Sequence, residues 1–309
     1  MATGAPCPPS RAAAYIAARR VPSGDVPPKR RRRRRLTSLF LIGAVVLAAG
    51  VYVLARAHVP AIFGETGCTA RTGHSAVALD PQQAQIAATI AGVALRRRMP
   101  PRAVTVAYAA AMQESHLHNL DYGDRDSVGV FQQRPSQGWG PARKLIDPVY
   151  ASTKFFMALA QVRGYQRLPV YQAAQAVQHS ADGYAYVQYQ PIAARLTVAF
   201  TGASPRAVWC WPPGNAARAG QFAAARQALV QTFGQLPAHR SAPPGDAPSL
   251  LVRAPHEAVG WAVAAWLVTH AGQYSLREVS YAGFQWRASS GGAGWTPDKA
   301  APAHAVLAT

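Results

Sequence analysis

Apolar residues recur at helical spacing through most of the chain between residues 79 and 201. The first helical segment begins with Asp80 as a suitable N-cap and Pro81 at the first helical position, and it ends before Pro100-Pro101. Residues 103–117 are apolar almost all round, which is typical of a helix buried at the centre of a domain. Further helical patterns cover residues 148–163, 170–178, 184–201 and 221–233.

The pattern changes after a stretch rich in Pro, Gly and Ala at residues 240–249, which we interpret as a linker. Beyond this linker, SLLVRA reads as a strand, and residues 256–271 as an amphipathic helix carrying two tryptophans. A pair of strands then turns at Ala282-Gly283. We therefore expect residues 250–309 to form a small α+β module, whose role the sequence does not indicate.

The longest uncharged apolar run is residues 36–55, whose twenty positions span roughly 30 Å as a helix, the thickness of a bilayer core. The basic run KRRRRRR at residues 29–35 precedes it directly, and such runs stay on the cytoplasmic side. A cleavable signal peptide is the alternative, since Ala55-Arg56-Ala57 has the form of a cleavage site, but its apolar region would be shorter. We predict a disordered basic cytoplasmic tail at 1–35, a transmembrane signal-anchor at 36–55 and a linker at 56–78.

Charge and composition narrow the class of protein. The formal net charge is +19, and about half of it lies in the first 58 residues, where it is explained by membrane topology. Nucleic-acid binding is the other interpretation of such a run, but we do not expect it for an exported domain. An apolar content of 50% excludes a wholly disordered chain, and three cysteines are too few for a disulfide-dense scaffold.

The three cysteines fall on both sides of the expected membrane span. Cys7 would lie in the cytoplasm and stay reduced, whereas Cys68 and Cys210 would both be exported into oxidising surroundings. Two unpaired thiols are the alternative, but we predict a disulfide between Cys68 and Cys210, which would close a long loop.

Glu114 is the only glutamate between residues 79 and 201, and it lies near the C-terminal end of the most apolar helix. Desolvation by apolar neighbours and the negative end of the helix dipole both disfavour its charged form, so both raise the pKa of this carboxyl group. A carboxylic acid with a raised pKa can protonate a glycosidic oxygen. The alternative is that Glu114 forms an ion pair with Arg125 or Arg134.

Metal binding is a second interpretation of this region, because Glu114, His116, His118 and His179 are all potential ligands. Positions i and i+2 of a helix point about 200° apart, so the first three of these side chains cannot face one ion. We therefore expect no metal site and no cofactor.

Two short motifs carry a family resemblance. The sequence AAMQESH at residues 110–116, followed by GVFQQR at residues 129–134, resembles the paired motifs of lytic transglycosylases and goose-type lysozymes. The resemblance covers roughly residues 79–201 and implies the lysozyme-like α fold, which we extend to residues 79–239. It also implies a catalytic acid/base at Glu114. The resemblance makes Ser115 the usual neighbour of this acid, Gln132 the substrate-contacting glutamine of the second motif and Gln178 the equivalent of an asparagine in a third motif. We add Gln133 and Tyr186 to Ser115, Gln132 and Gln178 as candidate substrate-binding residues.

The fold class expected is thus a mainly α lysozyme-like domain after one transmembrane helix, with the small α+β module at its C-terminal end. The function implied is a peptidoglycan lytic transglycosylase that cleaves the bond between N-acetylmuramic acid and N-acetylglucosamine. The protein would be a single-pass protein of the bacterial cell membrane, with its N-terminus in the cytoplasm. Its partners would be the glycan strands, and the membrane through residues 36–55.

Two alternatives stay open. A hydrolytic muramidase would need a second carboxylate, for which the loop after Glu114 offers Asp121, Asp124 and Asp126. Taken alone, these aspartates are equally typical of turns. A non-catalytic cell-wall binding protein would keep the lysozyme-like fold without the activity.

Overall fold

The computed structural model describes residues 66–179, 183–211, 219–241 and 248–309. All of these described residues belong to one compact unit. The expected tail, the signal-anchor, Cys7, residues 56–65 of the expected linker at 56–78 and the centre of the linker at 240–249 lie outside the described residues. The described remainder of the first linker is not a linker, because it forms two paired strands, Gly67–Thr72 and Ser75–Leu79. Among the residues that are described, no helix is both long and apolar enough to cross a membrane.

The secondary structure alternates between helices and short antiparallel strands. The α-helices are α1 (Pro81–Arg96), α2 (Pro101–Ser115), α3 (Ala142–Leu145), α4 (Pro148–Gln161), α5 (Val170–Gln178), α6 (Gln190–Phe200), α7 (Phe222–Phe233), α8 (Glu257–Thr269) and α9 (Ala271–Tyr274). The strands are β1 (Gly67–Thr72), β2 (Ser75–Leu79), β3 (Val208–Trp211), β4 (Ala238–Ser241), β5 (Ser249–Arg253), β6 (Glu278–Tyr281), β7 (Phe284–Arg287), β8 (Trp295–Pro297) and β9 (Ala305–Ala308). Single 3₁₀ segments lie at Pro135–Gln137, Gly183–Tyr189 and Ala288–Ala293.

Helices α1 and α2 are the centre of the helical part. Asp80 caps α1 by accepting a hydrogen bond from the backbone N–H of Gln83, whose side chain in turn accepts from Asp80 N, and Pro81 is the first helical residue. Helix α2 is buried along most of its length, and the hydroxyl of Tyr108 donates to Ala87 O on α1 at 2.7 Å. The start of α1 and the buried central helix expected from the sequence are confirmed.

The strands of the described residues form two antiparallel sheets. The smaller sheet has the order β2-β1-β3, and in it Cys68 lies directly opposite Cys210. These two cysteines form a disulfide, which confirms that prediction. The larger sheet has the order β4-β5-β9-β6-β7-β8. Helix α8 connects the two parts, because it packs against α1, β3 and β6.

The fold class expected from the sequence is wrong. The expected fold was mainly helical, with strands confined to a small C-terminal module, whereas β1, β2 and β3 bracket α1 to α6 and the six-stranded sheet belongs to the same compact unit. The physical reason is that β1 pairs with β3 across 142 residues of chain, and such a long-range pairing leaves no local periodicity in the sequence. Helix α8 is buried on nearly all sides rather than amphipathic.

Candidate active site

Glu114 lies in the last turn of α2, with its side chain half-buried. The hydroxyl of Tyr186 donates a hydrogen bond to Glu114 Oε1 at 2.8 Å, and Gln178 is hydrogen-bonded to the same carboxyl group. Burial raises the pKa of Glu114, and the hydrogen bonds from Tyr186 and Gln178 lower it by less. The net effect is a pKa above the ordinary value for glutamate, so the protonated form persists to higher pH.

Glu114 forms no ion pair with any described residue. Arg134 Nε instead contacts Asp126 Oδ1 at 2.9 Å, and Arg125 Nε lies 3.9 Å from Asp124 Oδ2. Both arginines that the sequence offered as partners are therefore directed to aspartates of their own loop. A cation beside Glu114 would have lowered its pKa, so this arrangement leaves the effect of burial dominant.

Three elements bring the site together: α2, the end of α5 and the 3₁₀ segment Gly183–Tyr189. Gln178 is the last residue of α5, and its Nε2 donates to Phe131 O at 2.7 Å. A Cβ at Gly183 would lie 1.9 Å from Gln175 Oε1, so the lack of a side chain there lets the 3₁₀ segment approach α5. Tyr186, which follows in that segment, is fully buried and reaches Glu114 from below the protein surface.

Ser115 joins the two sequence motifs. Its hydroxyl is within hydrogen-bonding distance of two backbone oxygens, Val130 O at 2.7 Å and Ala111 O at 3.2 Å. Ser115 is buried, and His116, which follows it, takes a left-handed conformation with φ 52° that ends α2. Ser115 therefore fixes the second motif against the end of the helix that carries Glu114, while its contact with substrate stays a prediction.

The loop of the second motif is shaped by Gly129. Its φ of 78° suits glycine, and a Cβ there would lie 2.3 Å from Leu145 O. Gln132 has a positive φ of 47°, and its side chain is bonded within the loop, donating to Gly129 O at 3.0 Å and accepting from Ser127 Oγ at 3.1 Å. Gln133 is only 2% exposed and donates to Ala151 O at 3.4 Å. The two adjacent amides thus have different surroundings.

The three loop aspartates are not equivalent. Asp126 accepts hydrogen bonds from Ser136 N and from Arg134, and these lower its pKa to about 2. Asp121 and Asp124 are exposed. Within the described residues, no hydrogen bond connects any of the three to Glu114. The structure therefore brings Glu114, Gln178 and Tyr186 together and leaves the aspartates apart from them.

The histidines near the site have other contacts. His118 Nε2 lies 2.8 Å from Asp80 Oδ2, and the ring of His116 meets Tyr189 edge-on. His179 ends α5 in a left-handed conformation. In the part of the chain that the structure describes, no group of three or more His, Cys, Asp or Glu side chains is placed to hold a metal ion.

Sequence reasoning missed an aromatic pair beside the site. The ring of Tyr184 stacks on Tyr171 with centroids 5.0 Å apart, and Tyr184 is 72% exposed. Tyr184 lies in the same 3₁₀ segment as Tyr186, and exposed aromatic rings of this kind suit stacking on a sugar. The run GYAYVQY is the signal in the sequence, and the helix predicted over residues 184–201 is wrong in its first part, because Gly183–Tyr189 is a 3₁₀ segment and the α-helix begins at Gln190.

The chain matches no model of a known protein family, and comparison with curated protein sequences gives no match. The resemblance to lytic transglycosylases therefore rests on the two short sequence motifs alone.

Proposed function

We propose that this chain is a peptidoglycan lytic transglycosylase that uses Glu114 first as general acid and then as general base. The observation that carries the proposal is the state of the Glu114 carboxyl group: half-buried, with a raised pKa, and held by Tyr186 without an ion pair in the described structure. General acid catalysis needs a group of this kind, since the proton must still be present near the working pH.

The reaction balances with this single carboxyl group. Protonated Glu114 gives its proton to the oxygen that links N-acetylmuramic acid to N-acetylglucosamine, and the bond from C1 to that oxygen breaks. The Glu114 carboxylate then takes the proton of the muramyl 6-hydroxyl, whose oxygen bonds to C1 and forms the 1,6-anhydro ring. Glu114 is protonated again at the end. Tyr186 holds Oε1 throughout, which fixes the orientation of the carboxyl group.

The loop aspartates favour transglycosylation over hydrolysis. A hydrolase needs a second carboxylate to orient water or to stabilise positive charge beside the sugar. Asp126 is bonded to Arg134 and Ser136, while Asp121 and Asp124 are exposed. Intramolecular attack by the muramyl 6-hydroxyl requires no second carboxylate. A site with Glu114 as its only acid is therefore sufficient for transglycosylation.

The proposed location also has support from the described residues. The Cys68–Cys210 disulfide fits an oxidising compartment, as expected for a domain held outside the bacterial membrane by residues 36–55. The substrate would be the glycan strands of the wall. No cofactor enters the proposed reaction.

The test compares the wild-type chain with Glu114→Gln on purified sacculi. We expect Glu114→Gln to lower release of soluble muropeptides by about 100-fold or more, because general acid catalysis contributes that much. Glu257→Gln is the matched control, since Glu257 begins α8 and lies outside the site. Mass spectrometry should find 1,6-anhydro products.

Three outcomes would contradict the proposal. Full activity of Glu114→Gln would remove Glu114 from the mechanism. Reducing-end products without anhydro rings would indicate a muramidase instead. Binding of wild-type protein to sacculi without any release of muropeptides would indicate a non-catalytic wall-binding protein.

A further inference from the structure

A pocket of about 360 Å³ lies beside the three-stranded sheet, and none of the residues around Glu114 lines it. Its walls come from the end of β1, the segment that leads into β3, and the glycine-rich segment before β8. Arg71 N donates to Ala207 O at 2.7 Å, which holds the first two of these walls together.

Two arginines line this pocket, and the lining contains no acidic residue. The guanidinium of Arg71 lies 4.8 Å from the ring centroid of Trp209, and that of Arg206 lies 4.2 Å from the ring centroid of Phe284. Neither arginine forms an ion pair with a described residue. Stacking on an aromatic ring fixes a guanidinium while its N–H edge stays available, so both positive charges are held without a counter-ion.

The backbone at Arg206 supports a binding role for its side chain. Arg206 has a φ of 59°, in the left-handed region where glycine would fit at lower free energy. A residue kept in such a conformation frequently marks a functional position. Gly294 lines the same pocket, and a Cβ there would lie 3.2 Å from the Trp209 ring, so its lack of a side chain lets this segment pack closely against Trp209.

Two tryptophans also line the pocket. Trp209 is 7% exposed, and its buried Nε1 has no hydrogen-bond partner among the described residues. Trp295 also lines the pocket, with its own Nε1 donating to Val208 O at 2.8 Å. The indole of Trp295 beside two guanidinium groups suits a ligand that combines a ring with an oxyanion.

We propose that this pocket binds a carboxylate or phosphate group carried on a sugar ring, with Arg71 and Arg206 as the residues that contact the oxyanion. The guanidinium fork matches the paired oxygens of either group, so carboxylate and phosphate share one recognition chemistry. This site is independent of the reaction proposed for Glu114, and its occupation does not require glycosidic cleavage.

Isothermal titration calorimetry on the full chain tests the proposal with three probes: glucose 6-phosphate, glucuronate and glucose. At least one of the two anionic sugars should bind about tenfold or more tightly than glucose, and which one binds distinguishes the phosphate source from the carboxylate source. The affinity should fall as sodium chloride is raised, since the attraction is electrostatic. Equal affinity for all three sugars, or no binding of either anion, would overturn the proposal.

Variants of the two arginines distinguish loss of anion binding from loss of folding. Arg71→Gln and Arg206→Gln should each weaken binding of the anion about tenfold or more, whereas Arg163→Gln, an exposed arginine outside the pocket, should bind like wild type. Arg206→Gly is the backup variant, because glycine accepts the local φ and therefore should fold while binding is lost. Wild-type affinity in Arg206→Gln or in Arg206→Gly would refute the assignment.

Discussion

The disulfide between Cys68 and Cys210 should contribute a large share of the stability of the described unit. It closes a loop with a sequence separation of 142 residues, and the two cysteines face each other on β1 and β3. On the chain-entropy model, a loop of this size removes about 17 cal/mol/K from the unfolded state, which is about 5 kcal/mol at 25 °C. Measured values for native disulfides range from about 2 to 5 kcal/mol, so this figure is an upper bound.

The perturbation is the double substitution Cys68→Ala with Cys210→Ala. A unit of about 250 residues gains roughly 0.5 kcal/mol/K of entropy on unfolding near its Tm. A loss of 5 kcal/mol therefore lowers Tm by about 10 °C, and a loss of 2 kcal/mol by about 4 °C. Differential scanning calorimetry of the oxidised wild type, the reduced wild type and the double variant measures the shift.

The matched control is Cys7→Ala, which removes a thiol without affecting the disulfide. Its Tm should equal that of the wild type, and added reductant should lower its Tm by the same amount as in the wild type. The reasoning is refuted if reductant leaves the Tm of the wild type unchanged, or if the oxidised double variant unfolds at the wild-type temperature.

Three further predictions concern the site. Tyr186→Phe removes a hydrogen bond that lowers the pKa of Glu114, so the basic limb of the activity–pH profile should move to higher pH; an unmoved limb would contradict the proposed acid. Gly129→Ala should reduce the free energy of unfolding by about 1–3 kcal/mol in urea titrations, because its φ of 78° disfavours alanine and Leu145 O blocks the Cβ. Ser115→Ala leaves Val130 O without this partner and should lower the free energy of unfolding by about 1–3 kcal/mol in the same assay; an unchanged value would contradict the role given to the hydroxyl.

The features that could be predicted from sequence are those with local causes. The start of α1 follows from Asp80 and Pro81, whose capping and fixed φ act within one turn. The half-buried state of Glu114 follows from the apolar residues of its own helix. Its raised pKa is a consequence of that burial, so the sequence and the structure agree on its direction.

The features that could not be predicted depend on residues far apart in the chain. Tyr186 is 72 residues from Glu114, and no periodicity in either segment indicates that the two side chains meet. The β1–β3 pairing joins Cys68 to Cys210 across 142 residues, and β5 and β9 lie at opposite ends of the C-terminal part, so neither pairing could be predicted. The strand at the start of the C-terminal part and the strand pair that turns at Ala282-Gly283 were predicted correctly, because their signals are local. Helix α8 was expected to be amphipathic because its sequence was considered alone, whereas it is covered by α1 on one side and by strands on the other.

The ion pair between Arg134 and Asp126, formed within one loop, affects the charge state of Glu114. The sequence allowed Arg134 to neutralise Glu114, and a guanidinium against that carboxylate would have lowered its pKa and left it ionised. Asp126 lies only eight residues from Arg134 and pairs with it inside the loop, where Ser136 N also stabilises the aspartate charge. Because Arg134 pairs with Asp126, no cation lies against Glu114 in the described structure. Burial therefore outweighs the hydrogen bonds from Tyr186 and Gln178 and raises the pKa of Glu114, as the proposed acid role requires.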